Sequence, residues 1–301
     1  MALLSQSTEH TLDRAAGALC GLALGDAMGR PGRGWPQQRI RGHFGWITDL
    51  AAAPVPRPGD GPVGTMGSAT RAAFQLAARW PQQLRPRVPA RPARADGTSL
   101  TAHRLLPVGI PCREDEAIAA SIVRLAGSRA TATALSGAAM VAGMISSAVD
   151  APEGSTDPVF LAAHLEMGMR AAEAIGDRGA PDVAPSVLER SLLAREIAVR
   201  APDDQTFLTR LYDVVGVSKA AAESVPAAVG LLVRAEADPS RACVLAANLG
   251  GETSRIGALA TAMAGAVRGR AAMVEPWRAH VEQVNEVCSV SLAQQLLAQR
   301  S

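Results

Sequence analysis

Hydrophobic positions recur at intervals of three and four residues along most of this chain. In residues 12–28, Leu12, Ala16, Leu19 and Ala23 follow that spacing. The spacing places apolar side chains on one face of a helix. A glycine and then a proline end the run directly afterwards, as expected at a helix C-terminus. The pattern therefore predicts an amphipathic helix near the N-terminus.

The same periodicity predicts helices over most of the remaining sequence. They cover residues 70–80, 114–125, 131–149, 157–175, 185–199, 205–214, 218–235, 240–248, 254–267 and 276–298. Alternating runs of β-branched and polar residues are nearly absent, and aromatic residues make up only 3% of the chain. The sequence therefore predicts an all-α fold.

Two stretches interrupt the helical pattern. Residues 51–66 and 81–99 are rich in proline, glycine and arginine. Proline lacks an N–H donor and blocks helix continuation, so each stretch is predicted to be a long, mobile loop. Long loops within a domain often bind ligands. Composition does not change on either side of them, and residues 1–301 are predicted to form a single domain.

Length and charge restrict the class of protein. The chain has 301 residues, 48% of them hydrophobic, and a formal net charge of +2. This balance gives no reason to expect nucleic acid or a membrane as a partner. The apolar run at 134–149 is short for a membrane span and is predicted to be a buried helix. The N-terminus lacks the basic and apolar regions of a signal peptide, and we expect a cytoplasmic protein.

The cysteines offer no metal site. Cys20, Cys112, Cys243 and Cys288 are far apart and form no CxxC pair. Reduced thiols, mostly buried, are the interpretation that fits this spacing.

Two predicted helices begin with small polar residues. Residues 67–77 read GSATRAAFQLA, and residues 248–258 read NLGGETSRIGA. The N-terminus of a helix presents free N–H groups and the positive end of its dipole. Each helix start is therefore a candidate site for an anionic group.

These segments carry a family resemblance together with three others. The others are GALCGLALGDAMGRP at 17–31, TAHRLLPVG at 101–109, and the stretch 223–269 followed by EPW at 275–277. The chain resembles the ADP-ribosylglycohydrolase family, which includes the dinitrogen-reductase-activating glycohydrolases and a lens crystallin. The resemblance runs from about residue 10 to residue 285.

The resemblance implies a compact, orthogonal bundle of a dozen or so helices with two Mg²⁺ ions in a central cleft. It also implies cleavage of an N- or O-glycosidic bond at the anomeric carbon of ADP-ribose. In the family, a Thr-Asp-Asp-Thr set and an Asp-Thr-Asp-Thr set hold the ions. Two hard cations close together require several carboxylate oxygens to offset their repulsion.

This sequence departs from both sets. Residues 67–70 read Gly-Ser-Ala-Thr, and residues 252–255 read Glu-Thr-Ser-Arg, so Glu252 is the single carboxylate left. Arg33 replaces a further acid, and Ala126 and Gly127 replace a Thr-His pair. No bound metal is expected. The residual ligand positions are Thr70, Glu252, Thr253 and Ser254.

Arginines occupy or neighbour several sequence positions at which the family has acidic residues. Arg33, Arg71 and Arg255 can be interpreted as guanidinium groups that bind a phosphate or carboxylate in place of the ions. They can equally be interpreted as drift after the metal was lost. The candidate substrate-binding residues are Asp26, Arg33, Ser68, Thr70, Arg71, His103, Gly250, Gly251 and Arg255, and the candidate catalytic residue is Glu252.

Three functional hypotheses follow, and whether the chain is an enzyme stays open. The first is a non-catalytic pseudoenzyme that binds an ADP-ribose-, nucleotide- or nucleoside-like ligand, or an active paralogue or another protein. The second is a divergent enzyme acting on an N-glycosidic bond without two metals, with Glu252 as acid and Asp26 or a loop aspartate as the second carboxylate. The third is a structural subunit with a vestigial cleft.

Overall fold

A computed structural model describes residues 2–50, 62–80, 96–152, 154 and 157–301. The described residues form fourteen α-helices, and the extended pairing among them is limited to isolated β-bridges. The prediction of an all-α fold is confirmed.

The helices follow one another closely along the chain. They are α1 (Ala2–Gly29), α2 (Gln37–Phe44), α3 (Ser68–Ala78), α4 (Leu100–Leu105), α5 (Asp115–Ala126), α6 (Ala132–Asp150), α7 (Pro158–Glu173), α8 (Val187–Arg200), α9 (Asp204–Arg210), α10 (Ala221–Arg234), α11 (Pro239–Ala247), α12 (Thr253–Arg268), α13 (Glu275–Asn285) and α14 (Ser289–Leu297). Short 3₁₀ turns at Leu106–Gly109 and Arg270–Ala272 and a π turn at Leu211–Val215 join some of them.

One predicted helix is wrong. Residues 276–298 form two helices, because Glu286 adopts a left-handed conformation, with φ of 53°, and ends α13. The carboxylate of Glu282 then accepts the backbone N–H of Ser289, at 3.2 Å, and fixes the start of α14. Apolar spacing continues across this break, so periodicity alone does not reveal it. The short helices α2 and α4 were also not predicted.

Helices α1 and α12 form the centre of the fold through direct backbone contact. A Cβ atom built on Gly25 would lie 2.1 Å from the carbonyl oxygen of Gly257, so only glycine fits there. The same close approach recurs at every fourth residue of α1, where Gly17 meets Gly265, Gly21 meets Thr261 and Gly29 meets Thr253. This order makes the helices antiparallel and places the end of α1 beside the start of α12.

Helix α6 is apolar enough to raise the question of a membrane. Among the described residues it is the one helix long and apolar enough to cross a membrane, with 19 residues and a mean hydropathy of 1.5. However, 78% of that stretch is buried within the fold. The burial agrees with the prediction of a core helix at 134–149.

The predicted loops at 51–66 and 81–99 lie mostly outside the described residues, and their described ends are tied to the fold. The Asn285 side chain accepts the N–H of Met66 and donates to the carbonyl of Gly64, at 2.9 and 2.8 Å. The N–H of Ser99 donates to the Lys219 carbonyl, at 2.9 Å. The chain therefore enters α3 and α4 at fixed positions.

The four cysteines are free thiols. Cys20, Cys112 and Cys243 are buried and Cys288 is exposed, in agreement with the prediction of mostly buried thiols.

Candidate functional site

Three polar side chains from different helices meet in the interior. Asp26 lies near the end of α1, Thr70 in the first turn of α3 and His103 on α4. Their relative exposures are 3%, 0% and 1%. Buried polar groups must find hydrogen-bond partners within the protein, so the contacts among these residues determine their chemistry.

The Asp26 carboxylate caps the start of α3. Its Oδ2 atom accepts the backbone N–H of Gly67 at 2.7 Å and the hydroxyl of Thr70 at 2.5 Å. Gly67 is the N-cap residue of α3 and has no side chain of its own to cap the helix. A negative charge at a helix N-terminus is favourable, and here it comes from α1.

The contact between Thr70 and His103 defines the histidine tautomer. Thr70 Oγ1 lies 2.7 Å from His103 Nε2. Because a carboxylate has no proton to donate, the Thr70 hydroxyl donates its hydrogen bond to Asp26 and accepts a hydrogen bond from the Nε2–H group of the imidazole. The other ring nitrogen, Nδ1, is buried and has no hydrogen-bond partner among the described residues.

His103 is neutral near pH 7. The pKa of its imidazole is lowered to about 4, mainly by burial; the Asp26 carboxylate opposes this shift, and the positive charge of Arg255 adds to it. The site therefore contains a neutral imidazole whose unprotonated Nδ1 can accept a hydrogen bond.

The second predicted helix start is held by two neighbouring loops. Gly250 and Gly251 both have positive φ values, 88° and 68°, which glycine adopts without strain. Gly251 exchanges hydrogen bonds with the loop after α1, where Gly34 donates to its carbonyl at 2.6 Å and Trp35 accepts its N–H at 2.9 Å. Arg33, which is half-buried, directly precedes this contact.

Glu252 and Arg255 form an ion pair at the start of α12. Arg255 Nε lies 3.4 Å from Glu252 Oε2, and both side chains are partly buried. The Nη1 atom of Arg255 is buried with no hydrogen-bond partner among the described residues. Since Arg255 also affects the His103 imidazole electrostatically, the two unpartnered nitrogens belong to one region.

Most oxygens at the residual metal-ligand positions already form hydrogen bonds or an ion pair within the protein. The Thr70 hydroxyl is bonded as above, and the hydroxyl of Thr253 donates to the Gly29 carbonyl at 2.6 Å. Ser254 is buried at the same helix start. In the part of the chain that the structure describes, His, Cys, Asp and Glu side chains do not gather in any group of three or more.

Two other predicted site residues are exposed to solvent. Ser68 and Arg71 are exposed on α3, on either side of the inward-facing Thr70. The three arginines proposed from sequence therefore differ in exposure: Arg71 is exposed, whereas Arg33 and Arg255 are partly buried.

Sequence reasoning did not identify Arg30. A Cβ atom on Gly67 would lie 3.1 Å from Asp26 Oδ2 and 3.2 Å from Arg30 Nη1, so the carboxylate and the guanidinium both face Gly67. Arg30 follows Asp26 by four residues, a spacing that joins neighbours on one helix face. That spacing is the signal that could have revealed it. Any larger residue at position 67 would crowd both groups.

Comparisons with known proteins identify the family and the fold. The family model for ADP-ribosylglycohydrolase matches residues 57–301. The uncharacterized protein YegU of Escherichia coli (strain K12) is 31% identical over 320 aligned positions, which cover 91% of this chain and 93% of that protein. A solved structure described as an ADP-ribosylglycohydrolase-related protein complex matches with a TM-score of 0.63 and 21% identity, covering 97% of this chain and 100% of the other.

The match to the solved structure supports the fold, and the match to the family model supports membership of the family. The opening motif at 17–31 precedes the segment that the family model matches, whereas both altered helix starts fall within it. The chain belongs to the ADP-ribosylglycohydrolase family.

Proposed function

We propose that this chain is a non-catalytic member of its family that binds an ADP-ribose-, nucleotide- or nucleoside-like ligand without two magnesium ions. The observation that supports this proposal best is the buried, unpartnered Nη1 atom of Arg255. It lies at the helix start where the family resemblance places metal-binding carboxylates. A guanidinium nitrogen in this position favours an anion and disfavours a cation.

The residues present do not fit a dimagnesium centre. Mg²⁺ requires near-octahedral coordination by hard oxygen ligands, and two ions require several carboxylates. Glu252 is the single acid retained in the two altered motifs, and Arg255 is paired with it. The hydroxyls of Thr70 and Thr253 are already engaged within the protein. The positive charge of Arg255 beside these oxygens would also repel a bound cation.

The same groups complement a sugar phosphate. Arg255 supplies a charged donor, and the start of α12 adds the positive end of a helix dipole. The Nδ1 atom of His103 supplies a neutral acceptor suited to a hydroxyl group. A ligand with both a phosphate and a free hydroxyl would satisfy both nitrogens. This combination is the basis for the ligand class.

The alternative is an enzyme that cleaves or forms an N-glycosidic bond without two metals. It requires Glu252 and a second carboxylate to act on the substrate. Glu252 is engaged by Arg255, and Oδ2 of Asp26 already accepts two hydrogen bonds. These contacts favour binding over catalysis. The third possibility, a structural subunit, requires that the site bind no small molecule.

The proposal is tested by measuring the affinity of ADP-ribose for three proteins. Arg255→Gln should weaken binding about tenfold, the effect of losing one charge-assisted hydrogen bond. Arg268→Gln is the matched control, because Arg268 is exposed at the opposite end of α12, and it should leave the affinity unchanged.

Turnover distinguishes the alternatives. The proposal predicts no release of ADP-ribose from ADP-ribosylated substrates. Hydrolysis by the wild type that Glu252→Gln abolishes would overturn it and establish the divergent enzyme. Absence of any ligand binding by the wild type would favour the structural subunit.

A further inference from the structure

A polar cavity lies between α6 and α7, away from the residues of the family site. It is open to solvent and has a volume of about 390 Å³. Its polar lining includes Arg113, Ser147, Asp150, His164, Glu166 and Arg170, and Phe160 adds an apolar surface. The family resemblance assigns no role to any of them.

His164 is an unsatisfied polar group in the wall of this cavity. The residue is 2% exposed, and its Nδ1 atom lies 2.9 Å from the Ser147 hydroxyl. Its Nε2 atom is buried with no hydrogen-bond partner among the described residues. Leaving such a nitrogen unpaired is unfavourable, so a native protein usually provides a partner.

The imidazole of His164 is neutral near pH 7. Burial lowers its pKa to about 4, and the nearby positive charge of Arg14 acts in the same direction. Whichever ring nitrogen holds the proton, Nε2 can form one more hydrogen bond, as a donor or as an acceptor.

The Asp150 carboxylate is already neutralised by another arginine. Arg300, whose side chain is 3% exposed, donates to both oxygens of Asp150, from Nε at 3.0 Å and from Nη2 at 2.7 Å. Arg113 lies beside the same carboxylate, with its Nε 3.3 Å from Oδ2. One carboxylate shared by two guanidinium groups leaves positive charge available at Arg113.

Arg170 has only weak partners. Its Nη1 lies 3.3 Å from Glu166 Oε1 and its Nε lies 3.6 Å from Asp115 Oδ2, with half of the Arg170 side chain exposed. Exposed pairs of this kind contribute little to stability, because water screens the charges. An incoming oxyanion can therefore compete for Arg170. Phe160 supplies an apolar wall for the rest of the molecule.

We propose that this cavity binds a small organic oxyanion, a carboxylate or a phosphate. Arg113 and Arg170 bind the oxyanion, His164 Nε2 forms a hydrogen bond to a polar group of the ligand, and Phe160 packs against its apolar part. The site is independent of the one formed by Asp26, Thr70 and His103.

Histidine side-chain NMR on the full chain tests the proposal with defined probes. The chain has five histidines, so the imidazole signals can be assigned by substitution. Inorganic phosphate and succinate are added separately, up to about 10 mM, the range of weak binding. We expect a saturable shift of the His164 signal. A shift with phosphate identifies a phosphate ligand, and a shift with succinate identifies a carboxylate.

Matched variants locate the binding. Arg170→Gln and Arg113→Gln should each weaken binding about tenfold. Arg200→Gln should leave it unchanged, because Arg200 forms a similar exposed pair with Glu196, four residues earlier, but does not line the cavity. If His164 shows no saturable shift with either probe, the proposal is overturned. The same holds if His103 shifts instead, or if both cavity variants bind as tightly as the wild type.

Discussion

Thr70 Oγ1 lies 2.7 Å from His103 Nε2, and it joins an imidazole on α4 to the carboxylate of Asp26 on α1. The hydroxyl donates to the carboxylate and accepts from the imidazole, so both of its functions are used. Three helices are thus connected by one buried side chain. These two hydrogen bonds fix the positions of the three side chains, so removal of the Thr70 hydroxyl should disturb the whole site.

Removing that hydroxyl should destabilise the protein. Thr70→Val keeps the shape of the side chain but leaves the Nε2–H of His103 without a partner. We expect a loss of about 1–3 kcal/mol in the free energy of unfolding, measured by urea denaturation. Thr70→Ser retains the hydroxyl and should recover most of the loss. Ser68→Ala, at an exposed position two residues earlier, should change stability little. Equal stability of Thr70→Val and wild type would contradict the hydrogen-bond assignment.

The contact between α1 and α12 should tolerate no side chain. In Gly25→Ala, the new Cβ would lie 2.1 Å from the Gly257 carbonyl oxygen, and the two helices would have to separate. We expect a loss of at least about 1–3 kcal/mol in thermal or urea unfolding. Gly42→Ala, within α2, has nothing within 4 Å of the new atom and serves as the control. It should raise stability by about 0.4–1 kcal/mol. Similar effects of the two substitutions would be inconsistent with this packing.

Stability should fall in mild acid because of the two buried histidines. The pKa values of His103 and His164 are lowered from 6.5 to about 4 in the folded chain. Between these values the unfolded chain binds protons at both positions and the folded chain does not, so the free energy of unfolding rises with pH. Each histidine contributes a slope of at most about 1.4 kcal/mol per pH unit. Above pH 6.5 their contribution is constant.

Substituting each histidine separates its contribution to the pH dependence of stability from that of the carboxylates. Urea unfolding of His103→Gln and His164→Gln, measured from pH 7 to pH 4.5, should show a shallower pH dependence than the wild type. His280→Gln, on an exposed side chain, should keep the wild-type slope. Identical slopes for all four proteins would show that these imidazoles are not held neutral.

Adding acids should create a response to magnesium. In a variant with Ser68→Asp, Ala69→Asp and Ser254→Asp, the two altered helix starts regain carboxylates. We expect Mg²⁺ to raise the thermal midpoint of this variant and to leave that of the wild type unchanged. The control carries Gln75→Asp and Ala78→Asp, which add acidic charge at exposed positions of α3. A magnesium response of the wild type as large as that of the variant would show that the ion site is intact.

Helical periodicity predicted most of the fold, because amphipathic patterns are local. The spacing of apolar residues located α6 and α12 within a few positions. It did not locate the division between α13 and α14, since the left-handed Glu286 interrupts the backbone without interrupting the apolar pattern. It also did not locate α2, whose eight residues include few buried side chains.

The sequence predicts which residues belong to the candidate site but not how their side chains contact one another. Asp26, Thr70 and His103 were each selected from the sequence, but they are 44 and 33 residues apart, and spacing does not predict their hydrogen bonds. The unpartnered nitrogens of His103 and Arg255 are likewise a property of packing. The family motifs do not reveal Arg30, because it occupies none of the positions at which family acids are replaced.

The central claim is that the site recognises its ligand without metal. Calorimetric titration of ADP-ribose into the purified chain, once with Mg²⁺ and once with a chelator, tests it most directly. We predict saturable binding of equal affinity in both samples. Binding that requires Mg²⁺ would contradict the claim and show that the remaining oxygens still hold an ion.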